Sequence, residues 1–290
     1  MEIQALNAFI AVAETRSFST AAEQLFLTQP AVSKRIANLE SQLNTLLFDR
    51  IGREVSLTEA GRELLPRAQR ILLEVEDARR GIGNLSGTIS GTLTLGTSHH
   101  IGLHRLPPVL KRFNQEYPSV NLELTFMDSE AAIHAVTSGK LELGIVTLPT
   151  IKTELKTERI WEDELAVVVA NNHPLANAST TSIKILAELP AVLPSDRTYT
   201  RSIIEHAFAK LDCTPQVRVT TNYLETLRMM VSVGLGWSIL PTSMLNDSIH
   251  KLNVKELTLK RQLGIAIHPR RTLSNAGNAM IRLCRSASPN

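Results

Sequence analysis

The sequence predicts an α+β chain of more than one domain: helices and a hairpin first, then one long helix, then a two-lobed α/β domain. Three observations predict it. Apolar residues recur at helical spacing from Ile3 to Leu43, with breaks at Arg16-Ser17 and Leu27-Thr28. A second pattern of three- and four-residue spacings runs from Thr58 to about Asn84. After a Gly-, Ser- and Thr-rich stretch from Leu85 to Gly91, short apolar strands alternate with helical segments, as in parallel sheets covered on both faces. The 290 residues suit two or three domains of about 100–150 residues each.

The first helix is expected near Ile3 to Thr15, with Ile3, Leu6, Phe9, Ile10 and Ala13 on one side. Ser19 or Thr20 caps a second helix that runs through Phe26. Leu27-Thr28 forms a turn, and Thr28 caps a third helix that extends to about Leu43. Pro30 is tolerated in its first turn because the missing N–H would be unpaired there. Val32, Ile36, Leu39 and Leu43 fall in one narrow arc of this helix and must face a core. The opposite arc carries Pro30, Ser33, Lys34, Ala37 and Asn38, which are small or hydrogen-bonding residues with one cation. A helix with such a face can enter a groove roughly 12 Å wide and still touch base edges. Leu47 to Leu57 alternates around Gly52 as a short hairpin does, a wing with Arg50 and Arg53 near its tip. Residues 1–58 therefore read as a winged helix-turn-helix.

Residues 59–87 read as a linker helix and hinge. Leu64, Leu65, Ala68, Ile71, Leu72, Val75 and Ala78 form its stripe, and Pro66 is a possible kink. So long a helix cannot bury its stripe within so small a module, so it packs on a copy of itself; the alternative is that it lies on the following domain. Residues 88–290 form the two-lobed domain, with lobe I at about 88–162 and 265–290 and lobe II at about 163–264. A strand near Leu263 to His268 returns to lobe I and makes two crossovers. A cleft between two such lobes suits a small molecule.

Composition narrows the functional classes. The net charge is only +3, and residues 1–60 hold five basic against seven acidic side chains, so a bulk electrostatic argument for nucleic-acid binding fails. Local placement remains: Lys34, Arg35, Arg50 and Arg53 cluster around the third helix, whereas Glu2, Glu14 and Glu23 lie on other elements. No stretch of about 18 apolar residues spans a membrane, and Met1 to Thr15 lacks the pattern of a signal peptide. A cytoplasmic location is expected. Cys213 and Cys284 suggest neither a disulfide framework nor a zinc cluster.

Several runs closely resemble the LysR-type transcriptional regulators. They are Phe9 to Leu25, Thr28-Gln29-Pro30-Ala31-Val32-Ser33-Lys34-Arg35-Ile36, Leu39-Glu40, Leu47-Phe48-Asp49-Arg50 and Leu57-Thr58-Glu59-Ala60-Gly61. Weaker matches continue through Gly91 to Gly96, Leu106-Pro107, Asn172-His173-Pro174-Leu175 and Val233 to Pro241. The resemblance implies a bacterial, sequence-specific DNA-binding regulator with a dimerising linker helix and a C-terminal effector domain shaped like a periplasmic binding protein. It implies dimers through the linker helix, tetramers built from two dimers, and double-stranded promoter DNA and RNA polymerase as partners. A small-molecule co-inducer, with no other cofactor, goes with it.

For DNA, Gln29 and Ser33 are candidates for base edges, with Pro30 in apolar contact. Thr28 and Lys34 are candidates for phosphates, and Arg50 and Arg53 for the flanking backbone or minor groove. Without DNA, the same Gln29 and Ser33 are ordinary helix-start residues. For the effector, Thr97, Ser98 and His99 sit where a strand ends and a helix begins, a place where free N–H groups and hydroxyls attract an anion such as a carboxylate. Alternatively, these residues simply cap the helix. Thr147 and Asn222 fall on the cleft if the topology holds, and Ser195 and Thr198 lie on a loop near the crossover. His100 and His104 stand four apart, as two metal ligands on one helix face do, but no carboxylate or cysteine lies nearby in sequence, and no metal site is expected.

Gly234-Leu235-Gly236 follows a helix and precedes a strand, the reverse of a dinucleotide-binding loop. Met229 and Met230 read as core. An enzyme with Ser98 or Cys213 as nucleophile and His99 as base lacks any Gly-x-Ser-x-Gly elbow. A stand-alone solute-binding protein would need an export signal. Neither alternative is expected.

Overall fold

The computed structural model describes residues 1–51, 54–255 and 257–287. The chain divides into two compact units, Met1–Ser86 and Gly87–Asn290.

The first unit holds α1 (Ile3–Thr15), α2 (Phe18–Gln24), α3 (Gln29–Leu43), the antiparallel hairpin β1 (Phe48–Ile51) with β2 (Glu54–Leu57), and α4 (Glu59–Asn84). Ser17 caps α2, not Ser19 or Thr20. Ser17 is the last residue with extended backbone, and its Oγ accepts the Thr20 N–H at 3.2 Å. The helix ends at Gln24, so Phe26 lies beyond it, in left-handed backbone and 97% exposed. The core gathers Leu6, Phe9, Val12, Ala21, Val32, Ile36, Leu39 and Phe48, with Leu43 at its rim. Ile3, placed on the buried stripe by spacing, is exposed because it opens α1 and has no turn packed beyond it.

Glu40 was not singled out by spacing, yet it is buried and its carboxylate accepts the Leu47 N–H at 2.8 Å. This contact ties the end of α3 to the start of the hairpin. Glu40→Ala strands that donor in an apolar setting and is expected to cost about 1–3 kcal/mol, read as a lower thermal midpoint for the helical signal. An unchanged midpoint would mean that water replaces the carboxylate there.

The first half of α4 belongs to this core: Ala68 is fully buried, and Leu64, Leu65 and Leu72 pack against the other helices. The helix is continuous through Pro66. Ile71, on the outer side of the same stretch, is exposed, as are Ile82 near the end of the helix and Leu85 just after it. The stripe is thus spent partly inside the module, contrary to the expectation that none of it could be buried there.

The second unit opens with β3 (Gly91–Thr97), α5 (His99–His104), α6 (Pro107–Glu116), β4 (Val120–Phe126), α7 (Ser129–Thr137), β5 (Leu143–Thr147) and β6 (Lys156–Ala170). It continues with α8 (Ile183–Ala187), β7 (Pro190–Leu193), α9 (Tyr199–Ala209), β8 (Gln216–Thr220), α10 (Leu224–Ser232), β9 (Ser238–Pro241), β10 (Ile249–Lys251), β11 (Leu259–Ile267) and α11 (Asn275–Ser286). One seven-stranded sheet runs in the order β10-β6-β11-β5-β3-β4, with β9 also on β6. The expected wholly parallel sheet is therefore corrected to a mixed one. β3 pairs in parallel with β4 and β5, but β11 is antiparallel to both β5 and β6. The reason is that the two crossover strands run in opposite directions between the lobes.

The β6 strand is 15 residues long, starting well before the expected Glu164, and it shares its length with β11 through a bulge at Leu263/Gly264. In lobe II the parallel pair β7-β8 is joined to the start of β9 through the bridge between Ala191 and Trp237. Trp237 is fully buried, stacks on Phe208 at 5.5 Å and donates its Nε1–H to Leu186 O at 2.8 Å. Gly234 closes α10 with φ 84°, a backbone suited to glycine. Met229, read as core, is half exposed, because α10 turns its Leu224, Leu227 and Val231 face inward.

Candidate functional site

On the first unit, the outer face of α3 is built from short polar groups. Thr28 stands at the N-cap with extended backbone, exposed, and its hydroxyl makes no cap hydrogen bond. Gln29 donates its Nε2–H to Ser33 Oγ at 3.0 Å, so two candidate base readers one turn apart form a single ridge. Pro30 is exposed within the first turn. Lys34 is exposed and has no ion-pair partner among the described residues, so its charge is uncompensated locally. Arg35, one position on, instead donates to Gln4 Oε1 at 2.9 Å. The backbone of Arg50 pairs with Val55 in the hairpin, and Arg53 lies outside the described residues.

On the second unit, a cavity of about 50 Å³ lies between the lobes, at the carboxyl ends of β3 and β5. Ser98, His99, Thr147, Thr198 and Asn222, expected here, all line it, together with Ser129, Glu130, Thr200 and Arg261, which sequence reasoning missed. Thr97 does not line it. Its side chain is fully buried and its hydroxyl donates to Ile145 O at 2.8 Å, because alternation along β3 turns it into the sheet. Ser195 does not line it either; its N–H donates to Asn222 Oδ1 at 3.0 Å and so orients that amide.

Three hydroxyls at the cavity have donor capacity left. Ser98 caps the six-residue α5 without a side-chain cap hydrogen bond. Ser129 Oγ accepts the Thr147 N–H at 3.0 Å, and Thr200 Oγ1 accepts from Arg261 Nη1 at 3.3 Å. An accepting hydroxyl still has its own proton to give. Acceptors line the same cavity: the Glu130 carboxylate takes the Tyr199 N–H, and Asn222 Nδ2 donates to Asp128 Oδ2 at 2.8 Å. Burial pushes the Glu130 carboxyl above the ordinary glutamate value. Both contacts join lobe I to lobe II.

Behind the cavity lies a buried ionic cluster. Asp163 on β6 accepts from Arg261 Nη2 and Nε at 2.9 and 3.1 Å and from Arg105 Nη2 at 2.7 Å. Burial alone would raise the Asp163 carboxyl, but His100, Arg261 and Arg105 outweigh it and hold it well below the usual carboxylate range. Burial also pushes the His100 imidazole down. His100 Nε2 lies 3.3 Å from Asp163 Oδ2, outside hydrogen-bond geometry, and neither ring nitrogen has a hydrogen-bond partner. His104 sits one turn on, with Nε2 2.9 Å from Glu225 Oε1 on α10. No spacing rule could have found Glu225, since it stands 121 positions from His104. Cys213 is half-buried in a loop, its Sγ directed at Leu211 O, and is not among the residues lining the cavity.

Residues 3–62 match the family described as bacterial regulatory helix-turn-helix protein, lysR family, and residues 86–289 match the LysR substrate binding domain. The HTH-type transcriptional regulator CysL of Bacillus subtilis is 31% identical over 274 residues, spanning 93% of this chain and 92% of that protein. Among solved structures, full-length CbnR complexed with its target DNA superposes with a TM-score of 0.65 at 19% identity, covering 99% of this chain and 100% of that one. The effector binding domain of QuiR in complex with shikimate gives 0.63 at 22% identity over 69% of this chain and 98% of that one. At these identities, the structures establish a shared fold. Among the described residues, no helix is long and apolar enough to cross a membrane.

Proposed function

The chain belongs to the LysR-type transcriptional regulators, DNA-binding proteins with an effector-binding domain and not enzymes, and we propose that its effector is a small hydroxy-carboxylate held between the two lobes. The observation that carries this reading is that one cavity is lined both by hydroxyls with donor capacity left, on Ser98, Ser129 and Thr200, and by the acceptors Glu130 and Asp128. A carboxylate satisfies the donors, a ligand hydroxyl satisfies the acceptors, and the Arg261 guanidinium stands behind with a favourable charge. The effector binding domain of QuiR, of like fold, is a protein seen in complex with shikimate, itself a small hydroxy-carboxylate.

The cavity is small, about 50 Å³, and the Asn222–Asp128 contact lies at it, so on this reading the ligand parts the lobes and replaces that contact. Binding therefore alters the angle between lobes. That change alters how effector domains pack on one another and shifts the spacing of paired reading heads on the promoter. RNA polymerase is the further partner through which such a shift reaches transcription.

Thermal unfolding of the full chain against a panel of small hydroxy-carboxylates and their neutral amides tests this. The acids are expected to raise the upper transition and the amides to leave it unchanged, with Ser129→Ala abolishing the rise. Equal responses to acid and amide would sink the anionic reading.

For DNA, our reading gives Gln29 and Ser33 base edges, Pro30 apolar contact, Thr28 and Lys34 phosphates, and Arg50 and Arg53 the flanking backbone or minor groove. Ser33→Ala is expected to weaken binding to the operator by about 1–3 kcal/mol while leaving random DNA unaffected. Lys34→Ala should weaken all sequences alike and flatten the salt dependence by about one unit of slope. Gel-shift titrations over a range of salt, using the DNA beside the chain's own gene, distinguish the two. Wild-type salt dependence for Lys34→Ala would remove it from the phosphate contacts.

A further inference from the structure

We propose that His100, His104 and Glu225 form a site for a divalent transition metal of the zinc class, which clamps lobe I to lobe II. Nitrogen and oxygen atoms of the three side chains all lie within 4.8 Å of one another. Tetrahedral binding with bonds of about 2.0–2.2 Å sets donors roughly 3.3 Å apart, so small side-chain rotations bring them to a common centre. Two imidazoles with one carboxylate favour zinc, cobalt or nickel over magnesium or calcium, and three protein donors leave one position for water or an exogenous ligand.

The local geometry suits this use. Both histidines lie on α5 at a spacing of four, with ring centroids 4.8 Å apart. His100 is buried with both ring nitrogens lacking a hydrogen-bond partner, an expense that a ligand would relieve. His104 and Glu225 are about one-third exposed, which leaves an entry path from solvent. Glu225 comes from lobe II and the histidines from lobe I. A bound ion therefore favours the arrangement in which the lobes are drawn together, and it links metal availability to the state of the cleft.

Titration of the tag-free full chain with Co²⁺ and with Zn²⁺ tests the site, with no organic ligand present, so the result is independent of the effector reading. Wild type is expected to bind one equivalent of Co²⁺ with the intense ligand-field absorption of a low-coordinate nitrogen and oxygen site, and Zn²⁺ should displace it. His104→Ala and Glu225→Gln, both at partly exposed positions that tolerate change, should each weaken affinity by more than about 100-fold. Each should also remove the rise in thermal midpoint that Zn²⁺ gives the wild type. His250→Ala, at an exposed histidine outside the cluster, should bind as wild type does. Undiminished binding in Glu225→Gln would show that lobe II supplies no ligand and would overturn the clamp. A weak, octahedral Co²⁺ spectrum in the wild type, or equal loss in His250→Ala, would mean adventitious binding only and would overturn the site.

Discussion

Asp163→Ala is expected to destabilise the Gly87–Asn290 unit by about 3–5 kcal/mol, the cost of leaving a buried charge without its partner. The carboxylate is almost completely shielded and is shared by Arg261 and Arg105, while Arg261 is itself buried. Once the carboxylate is removed, Arg261 keeps only Thr200 Oγ1 among its described charge-bearing or hydroxyl neighbours, and arginine cannot discharge by losing a proton. The companion experiment is the double replacement Asp163→Leu with Arg261→Met, which removes both charges and is expected to recover most of the loss. Both tryptophans of the chain, Trp161 and Trp237, lie in this unit, so fluorescence during urea unfolding reports it alone. A double variant as unstable as the single one would show that the cluster's geometry matters more than its charge balance.

The sign of the pH effect follows from the lowered Asp163 carboxyl. A depressed carboxyl contributes stability that is present above its unfolded value near 3.9 and is lost as pH falls through the folded value. The gap between wild type and Asp163→Ala is therefore expected to be constant across neutral pH and to narrow only on strong acidification.

The second large effect is expected at Gly61. This glycine lies in the first turn of α4, and a Cβ there would overlap the carbonyl oxygen of Leu47 and come within 2.8 Å of Leu57 Cδ2. That carbonyl cannot swing aside, because it accepts the Thr58 N–H at 3.0 Å while the Leu47 N–H is held by Glu40. Gly61→Ala is expected to cost about 3 kcal/mol through overpacking, despite the higher helix propensity of alanine. Gly83→Ala in the same helix meets nothing within 4 Å and is expected to act in the opposite direction, gaining up to about 1 kcal/mol. Far-UV circular dichroism together with operator binding measures both. Gly61→Ala should lose DNA binding at temperatures where the tryptophan signal of the second unit is unchanged. A stabilised Gly61→Ala would mean that the hairpin moves freely relative to α4.

The N-terminal unit was legible because its contacts are local. Val32, Ile36 and Leu39 repeat at helical spacing and are all buried, while Ser33 and Lys34 fall on the other face, as periodicity requires. Boundaries were less legible. Ser17, Ser19 and Thr20 are all competent caps, and the choice depends on where the backbone leaves the extended region. Glu40 was missed because a glutamate in a helix reads as solvated until the hairpin that folds back on it is known.

In the second unit, the alternation of strands and helices was visible, but strand direction was not. An apolar run has the same pattern whichever way it enters a sheet, so the antiparallel return of β11 emerged only from pairing. The cleft followed the same rule: Ser98 and Asn222 could be placed from topology, whereas Ser129, Thr200 and Arg261 could not.

By itself, the order of residues determined the helices, the buried and exposed faces of α3, the Gly- and Ser-rich composition near Gly87 and the family, because each depends on neighbours a few positions apart. Only the tertiary structure decided which hydroxyls keep a free proton, that Asp163 is enclosed by two arginines, and that Glu225 meets His104. Those pairings join residues far apart in the chain, and long-range contacts of this kind leave no periodic trace in the sequence that makes them.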